Sequence, residues 1–323
     1  MTRVLVTGGA GYVGSTLVPL LLERGFEVRV LDSLMHGGES LLGVWAHPGF
    51  EFQRGDVRDR VAVRAALTGI DAVVHLAAIV GDPACARDPE LARAVNLEAS
   101  LALISDCRSA GVSRMVFAST CSNYGKMADA DGFVDETSPL SPVSLYAETK
   151  VAVERTLLDP TCTGALCATP LRFATVFGVS PRMRFDLTVN EFTAELITKR
   201  RLKVFGEQFW RPYVHVRDAA RAVVGVLEAP EARVRGQVFN VGATDQNYQK
   251  QQLVELIRPH ATDAVVEYVH KAEDPRDYRV SFTKIAEQLG FRVTRTVQQG
   301  IDEIAHLVAD ATVADWTQPR YRN

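Results

Sequence analysis

The sequence has few of the features that mark membrane, nucleic-acid-binding or secreted proteins. Its net charge of −3 excludes the strongly basic surface expected of a protein that binds nucleic acid. No apolar run reaches the ~18 residues needed to cross a membrane, and the chain begins with a predicted strand rather than a signal peptide. We therefore expect no nucleic-acid or membrane partner.

Cysteines are also few and lack the spacing of a metal site or a disulfide framework. The five are Cys85, Cys107, Cys121, Cys162 and Cys167. Their odd number and the absence of C-x-x-C pairs indicate reduced thiols, so we expect a cytoplasmic protein. With 47% hydrophobic and 23% charged residues among 323, and no repeat or low-complexity tract, the composition is typical of a soluble globular enzyme.

Glycines are concentrated directly after the first predicted strand. The run RVLVT at 3–7 is apolar and β-branched, and Gly8, Gly11 and Gly14 follow it within GGAGYVG, before a predicted helix at 15–22. Such glycines allow a tight turn and close approach of the backbone to a pyrophosphate, and the helix N-terminus supplies amide donors. The pattern predicts a phosphate site.

An acidic residue, Asp32, ends the second predicted strand at 27–31. It follows the glycines by about 20 residues, the position from which a carboxylate accepts hydrogen bonds from an adenine-ribose diol. The same carboxylate would repel a 2′-phosphate. The sequence therefore predicts a dinucleotide site that favours NAD over NADP.

Strand and helix signals alternate through the first half of the chain. Further strands are predicted at 50–57, 72–78, 114–119 and 166–177, the last ending in a loop, with helices at 96–110 and near 146–158. This alternation predicts an α/β fold, a Rossmann-type doubly wound parallel sheet with a smaller, interleaved α/β substrate-binding domain. We expect the NAD-binding domain at 1–175, with elements returning from about 214–243, and a mainly substrate-binding domain at 176–323.

A phenol and an ammonium, Tyr146 and Lys150, are four residues apart and so share one face of a predicted helix. A free tyrosine titrates near pH ~10, whereas a neighbouring cation favours the phenolate. Tyr146 would then serve as a general acid/base at neutral pH. The spacing alone is common on solvated helix faces, but beside a dinucleotide site it predicts catalysis.

Other motifs occur in a fixed order between and beyond these residues. They are Gly55-Asp56-Val57, His75 to Ala78, Asn96, Ser119-Thr120, Leu171-Arg172-Phe173 and the segment RPYVHVRD at 211–218. Together with the glycine loop, Asp32, Tyr146 and Lys150, they resemble the extended short-chain dehydrogenase/reductases, in the nucleotide-sugar epimerase/dehydratase branch. The resemblance covers nearly the whole chain.

The resemblance implies a role for each matching residue. Tyr146 would take the proton of the sugar C4 hydroxyl, Lys150 would bond the nicotinamide ribose, and Thr120 would hydrogen-bond the hydroxyl being oxidised. The implied NAD contacts are Gly8, Gly11, Tyr12, Val13, Gly14, Asp32, Asp56, Val57, Leu76, Ala77, Ala78, Asn96 and Lys150.

The resemblance also implies residues that bind a nucleotide-diphosphate sugar, namely Asp82, Ser122, Asn190, Arg211 and Arg276. Asn190, Arg211 and Arg276 are candidates for the diphosphate, because cations and amides bind phosphate oxygens. Arg182 and Arg184 are further candidates, unless they are simply solvated. Asp82 and Cys85 lie in a segment that faces the sugar in this branch, although a turn at residues 81–83 explains them equally well.

Cys121-Ser122 stands where the family's 4,6-dehydratases carry an Asp-Glu acid/base pair, and neither residue is a carboxylic acid. Cys121 is a catalytic candidate if its pKa is lowered, and otherwise it is a buried, inert thiol. This departure favours 4-epimerisation through a transient 4-keto sugar with tightly bound NAD.

Three alternatives stay open at this point. A dehydratase or 3,5-epimerase would use Cys121 in acid/base chemistry. A 4-keto-sugar reductase usually takes NADP, which Asp32 disfavours, and a non-catalytic NAD-sensing regulator would not need the Tyr146–Lys150 pair. The resemblance also implies a homodimer that pairs through the helices of Asn96 and Tyr146.

Overall fold

The computed structural model describes residues 2–127, 132–271 and 276–323. Within them the chain forms twelve strands: β1 (Arg3–Thr7), β2 (Glu27–Asp32), β3 (Phe50–Arg54), β4 (Ala72–His75), β5 (Arg114–Thr120), β6 (Cys167–Phe173), β7 (Thr175–Phe177), β8 (Arg201–Phe205), β9 (Trp210–His215), β10 (Phe239–Val241), β11 (Asn247–Gln249) and β12 (Val265–Val269).

The α-helices of the same residues are α1 (Gly14–Glu23), α2 (Arg60–Ala66), α3 (Asp82–Arg87), α4 (Pro89–Arg93), α5 (Ala99–Ser109), α6 (Leu145–Leu158), α7 (Pro160–Thr163), α8 (Thr188–Lys199), α9 (Val216–Glu228), α10 (Glu231–Val234), α11 (Lys250–Ile257), α12 (Thr283–Leu289) and α13 (Val297–Ala309). A π-helical turn, Ala94–Glu98, joins α4 to α5, and short 3-10 turns include Cys121–Tyr124 and Pro319–Tyr321.

Seven parallel strands form the main sheet, in the order β10-β6-β5-β4-β1-β2-β3. The chain starts at a central strand and winds outward in both directions, with helices in the crossovers, which confirms the predicted doubly wound Rossmann-type sheet. Successive side chains of β1 face opposite sides of the sheet. Val4 and Val6 pack into one hydrophobic cluster with Leu17 and Val223, and Leu5 packs into another.

The other five strands form a three-stranded sheet (β11-β9-β7) and a two-stranded sheet (β12-β8). A third hydrophobic cluster, which includes Phe185, Tyr213 and Ile301, lies here. Residues after 214 return to the main sheet, because α9 packs on α1 and β10 pairs with β6. The division into two domains at the boundaries given above stays a prediction.

Two predicted elements differ from the observed ones. The expected loop after β6 contains a strand, β7, because residues 175–177 pair in parallel with β9. The helix expected from Asn96 begins earlier, at α4, and Asn96 lies in the π-helical turn. Turns of this kind are frequent at functional sites, and this one faces the loop after β4.

Candidate active site

A cavity of about 1100 Å³ lies at the carboxyl ends of β1, β2, β4 and β5. In a doubly wound sheet this edge binds ligands, because the loops that follow neighbouring strands diverge there. The opposite wall comes from the loop between β7 and α8 and from residues near the C-terminus, including Thr317 and Arg322. Both halves of the chain therefore enclose the cavity.

The glycine loop forms the floor beside α1. A Cβ on Gly8, which has a φ of +78°, would lie 2.7 Å from the Ala77 backbone nitrogen, and a Cβ on Gly14 would collide with the Gly8 carbonyl oxygen. Gly11 also lines the cavity, and α1 begins at Gly14, so that the amides of its first turn face the same space. This cradle of bare backbone and helix N-terminus fits a pyrophosphate.

Asp32 lies at the end of β2, beside the glycine loop. Its Oδ2 accepts a hydrogen bond from the Ala10 amide (3.0 Å) and its Oδ1 accepts one from the Leu34 amide (2.8 Å). Burial raises the pKa of Asp32, and these two bonds oppose the rise. The carboxylate lines the cavity and keeps lone pairs for a ribose diol, so that the glycine cradle and Asp32 together fit a dinucleotide.

The other expected cofactor contacts mostly line the same cavity. Asp56 does so with its carboxylate held by both Arg58 Nε (3.0 Å) and Nη2 (2.7 Å), and these bonds lower the pKa of Asp56. The Tyr12 hydroxyl points out of the loop and donates to the Gly178 carbonyl oxygen (2.6 Å). The remaining expected contacts on the wall are Val13, Val57, Leu76, Ala77 and Ala78.

Helix α6 presents the predicted catalytic pair. Ser144 caps it, since its Oγ accepts from the Ala147 amide (3.3 Å), and the first two turns then carry Tyr146 and Lys150 to the cavity wall. Lys150 Nζ lies 5.8 Å from the centroid of the Tyr146 ring and 4.6 Å from that of Phe117. The structure therefore brings the phenol and the ammonium to one side of the cavity.

Burial dominates the electrostatics of this pair. It raises the pKa of Tyr146 and lowers the pKa of Lys150 to about 8. We expected Lys150 to draw the phenol pKa down, but desolvation has the largest effect on the pKa of Tyr146, and the cation that lowers it is Arg184.

Thr120 ends β5 and lines the same cavity. Its Oγ1 accepts a hydrogen bond from the Ser122 amide (3.1 Å) and so caps the 3-10 turn Cys121–Tyr124. The bond uses only the acceptor side of the hydroxyl, which leaves its proton for a ligand oxygen. Ser122 also lines the cavity, where the Tyr278 hydroxyl lies 3.4 Å from its Oγ.

Cys121 faces away from this space, which corrects its placement among the catalytic candidates. Its side chain is 1% exposed, and its Sγ donates to the Arg172 carbonyl oxygen (3.2 Å) within the hydrophobic core. Burial raises the pKa of the thiol well above its ordinary value. A buried thiol of this kind is a poor acid/base, so the inert alternative is the one that the geometry favours.

Two asparagines also differ from expectation, since neither lines the cavity. Asn96 is 1% exposed and binds the backbone of Ile79 through both its Oδ1 (2.8 Å) and its Nδ2 (2.9 Å). Asn190 is fully buried, where its Oδ1 accepts from the Gly178 amide (3.0 Å) and its Nδ2 donates to the Arg184 carbonyl oxygen (2.7 Å). Both amides hold loops of the cavity wall rather than face a ligand.

The expected substrate contacts Asp82, Arg211 and Arg276 do line the cavity. Arg276 Nη1 binds Asp82 Oδ2 at 2.7 Å, and the guanidinium of Arg211 lies 5.4 Å from the centroid of the Tyr278 ring. Residues 272–275, directly before Arg276, lie outside the described residues. Cys85 is buried and its Sγ donates to the Ile79 carbonyl oxygen (3.3 Å).

Sequence reasoning missed several lining residues. Tyr278 and Lys250 reach the cavity from segments without a motif, although Tyr278 lies two residues after the suspected Arg276. Arg182 and Arg184 are 6% and 7% exposed, so the solvated alternative was wrong for both. His36 lines the cavity near them, and burial, followed by the charges of the two arginines, lowers its pKa to about 4.

Comparison with known proteins shows the family of this chain. The chain belongs to the NAD dependent epimerase/dehydratase family, whose model matches residues 4–242. This confirms the resemblance drawn from the motifs, and the protein is an NAD-dependent enzyme of the extended short-chain dehydrogenase/reductase class.

Particular relatives carry two related activities. The chain is 30% identical to a UDP-glucose 4-epimerase of Corynebacterium glutamicum, over 94% of each chain. Its structure matches that of the Thermus thermophilus UDP-glucose 4-epimerase in complex with NAD (TM-score 0.83, 30% identity, 96% of this chain and 100% of that one). It also matches DesIV, a dTDP-glucose 4,6-dehydratase of Streptomyces venezuelae with NAD and TYD bound (TM-score 0.86, 27% identity, 99% and 100% covered).

Metal and membrane-spanning features are not found in the part of the chain that the structure describes. In those residues no cluster of three or more His, Cys, Asp or Glu side chains is placed to hold a metal ion. None of the described helices has both the length and the apolar character required to cross a membrane.

Proposed function

We propose that the protein is a nucleotide-diphosphate-sugar 4-epimerase that works through a transient 4-keto sugar and retains its NAD. The observation that carries the proposal is that Tyr146, Lys150 and Thr120 line one cavity while Cys121 faces the core. The site thus contains the residues needed to oxidise a sugar hydroxyl, but positions 121 and 122, after Thr120, carry no acid/base pair. The UDP-glucose 4-epimerase relatives support the same choice.

In this mechanism the chain's own residues bind the sugar and move one proton. The Thr120 hydroxyl would donate to the C4 oxygen and orient it. Tyr146, as the phenolate, would accept the C4 hydroxyl proton as the hydride leaves C4, and would return the proton to the C4 oxygen when the hydride comes back. Bound NAD supplies the acceptor and later the donor of the C4 hydride. Burial raises the pKa of the Tyr146 phenol, so the phenol must first release its proton to solvent before it acts as a base. The ammonium of Lys150, one helical turn away, is the group that would favour the phenolate.

Cofactor and substrate would occupy different parts of the cavity. Gly8, Gly11, Gly14 and Asp32 would hold the dinucleotide, with Leu76, Ala77 and Ala78 along the path to the nicotinamide. Asp82, Ser122, Arg211 and Arg276 would contact the nucleotide sugar, the two arginines at its diphosphate.

The second candidate is a 4,6-dehydratase, which the similarity to DesIV favours. Elimination of water requires an acid and a base beside C5 and C6, and Cys121 and Ser122 do not supply that pair. A reductase that consumes NADPH is disfavoured by Asp32, whose carboxylate would repel a 2′-phosphate.

Product analysis distinguishes these reactions. The purified protein is incubated in deuterated water with UDP-glucose or dTDP-glucose, and products are identified by mass spectrometry and by chromatography against stereoisomer standards. We expect an unlabelled 4-stereoisomer. Loss of one water would show a dehydratase, and deuterium at C3 or C5 would show an enolising epimerase, and either result would overturn the proposal.

Replacing Asp32 with alanine is expected to weaken NADH binding about 10- to 100-fold, because hydrogen bonds to a charged group contribute about 1.5–3 kcal/mol. The affinity for NADPH should fall far less, so that the preference for NADH over NADPH becomes smaller. Both dissociation constants are measured by fluorescence titration, with Glu27→Ala at the opposite end of β2 as the control. An unchanged ratio of the two constants would refute the ribose assignment.

Replacing Cys121 with serine is expected to leave turnover within about twofold of the unsubstituted protein, because the hydroxyl can still donate to the Arg172 carbonyl oxygen. Cys107→Ser, at another fully buried thiol, controls for the cost of a polar atom in the core. Turnover is measured alongside the thermal unfolding midpoint. A large loss of turnover in Cys121→Ser with an unchanged midpoint would instead assign acid/base work to the thiol.

We also propose a cytoplasmic homodimer. The five cysteines are free thiols, which fits a reducing compartment. Pairing would use α5 and α6, and α5 carries an exposed Leu101 (36%). Light scattering of the purified protein, with Leu101→Glu as the disruptive variant, tests this arrangement.

A further inference from the structure

Arg182 is a buried cation without a carboxylate partner among the described residues. Its side chain is 6% exposed and lines the cavity. Nη2 donates to the backbone oxygen of Arg322 (3.0 Å), while Nε is buried without an acceptor. A buried guanidinium that lacks a counter-charge is costly, so this arrangement calls for an anion in the cavity.

The neighbouring Arg184 differs from Arg182 in just this respect. Arg184 is held by both oxygens of Asp186, through Nε (2.9 Å) and Nη2 (2.8 Å). Asp186 thus pairs directly with Arg184, whereas Arg182 feels only the more distant charge of Asp186 and contacts no carboxylate among the described residues.

The backbone around Arg182 is bonded to the first turn of α1. The Arg182 amide donates to Ser15 Oγ (3.2 Å), and Ser180 Oγ donates to the Tyr12 carbonyl oxygen (2.7 Å). Ser180 Oγ also lies 3.0 Å from Ser15 Oγ. These bonds fix the loop that carries Arg182 beside the glycine loop, where the dinucleotide pyrophosphate is expected.

Arg211 and Arg276, which also line the cavity, form a separate group of cations. Arg276 is bonded to Asp82, and Arg211 stacks on Tyr278, whose hydroxyl is next to Ser122. An enzyme that holds a dinucleotide and a nucleotide sugar together must accommodate two diphosphates. The two groups of cations match that requirement, one beside α1 and one beside Ser122.

We propose that Arg182 binds a phosphate oxygen of the NAD pyrophosphate from the side opposite the glycine loop. The residues near the C-terminus hold it there, since the Arg322 carbonyl oxygen accepts from its Nη2 and the Tyr321 carbonyl oxygen accepts from the Phe185 amide (2.9 Å). The second half of the chain then clamps a cofactor that the first half cradles. This inference rests on NAD dependence and not on the 4-epimerase reaction.

The test compares Arg182→Gln and Arg182→Lys with Arg320→Gln, an exposed arginine of the C-terminal segment. The dissociation constant of NADH is first measured for each protein by fluorescence titration. Displacement of NADH by ADP-ribose and by adenosine is then converted, with that constant, into the dissociation constant of each competitor. UDP binding to the NAD-saturated proteins is measured separately by calorimetry.

We expect Arg182→Gln to weaken the binding of ADP-ribose about 10- to 100-fold, because a charge-assisted hydrogen bond is lost. Arg182→Lys should fall between, because it keeps the charge without the planar fork, and it serves as the test should the Gln variant fail to fold. Adenosine and UDP affinities should not change, and Arg320→Gln should match the unsubstituted protein.

Two results would overturn the assignment. Equal weakening of adenosine and ADP-ribose would show a structural role, because adenosine has no phosphate. Weaker UDP binding with unchanged ADP-ribose would assign Arg182 to the substrate diphosphate instead. Neither result depends on which sugar product forms, so product analysis and this test fail independently.

Discussion

Replacing Tyr146 with phenylalanine is expected to reduce turnover about a hundred- to ten-thousand-fold, the usual contribution of a positioned acid/base, and to leave NAD bound. The change removes only the hydroxyl that would exchange the sugar proton. The ring still packs on the cavity wall, and the glycine cradle and Asp32 are untouched. Turnover of UDP-glucose and the NAD content of the purified protein are measured together.

Tyr268→Phe is the matched control, because it removes a phenol hydroxyl from the exposed strand β12, outside the cavity lining. It should behave as the unsubstituted protein. Turnover of Tyr146→Phe at the unsubstituted rate would eliminate the proposed mechanism. Loss of NAD with loss of turnover would instead give Tyr146 a role in holding the cofactor.

Local motifs explain why the cofactor side of the site could be predicted from the sequence. Gly8, Gly14 and Asp32 act through the backbone turn and strand end where they stand, and such positions follow from the order of strand, loop and helix. Tyr146 and Lys150 needed only helical periodicity to be placed together. Their relative pKa values could not be predicted, because burial depends on segments far along the chain.

The direction in which a side chain points after the end of a strand could not be predicted from the sequence. Thr120 and Cys121 are neighbours, yet the 3-10 turn that Thr120 caps sends the thiol into the core. The side-chain amide of Asn190 is hydrogen-bonded to the backbone of Gly178 and Arg184. No local sequence pattern predicts that these groups lie next to it. Arg182 depends in the same way on the distant Ser15 and Arg322.

A second large effect is expected from Glu154, which lies one helical turn after Lys150 on α6. Its carboxylate is 2% exposed and binds Arg172 Nε (3.1 Å to each oxygen) and Nη2, and it also accepts from Ser119 Oγ (2.8 Å). Arg172 Nη1 donates to the Tyr124 hydroxyl (2.8 Å). This buried network joins α6, β5 and β6 directly beneath Thr120.

Glu154→Gln is expected to lower the free energy of unfolding by about 3–5 kcal/mol, the cost of leaving one partner of a buried pair uncompensated. The new amide turns donor groups towards the Arg172 guanidinium, which cannot accept them. Urea denaturation of the purified protein measures the loss, and Glu148→Gln, at an exposed glutamate of the same helix, should change little.

The double variant Glu154→Gln, Arg172→Met separates the charge from the packing. Removal of the orphaned guanidinium should recover much of the stability lost in Glu154→Gln, since an apolar side chain of similar length leaves no buried charge unpaired. A strictly additive double variant would mean that Glu154 contributes through Ser119 and through Asn123, whose Nδ2 donates to Glu154 Oε2 (3.4 Å), rather than through Arg172. A loss below about 1 kcal/mol in the single variant, the size of an exposed ion pair, would show that water reaches the network.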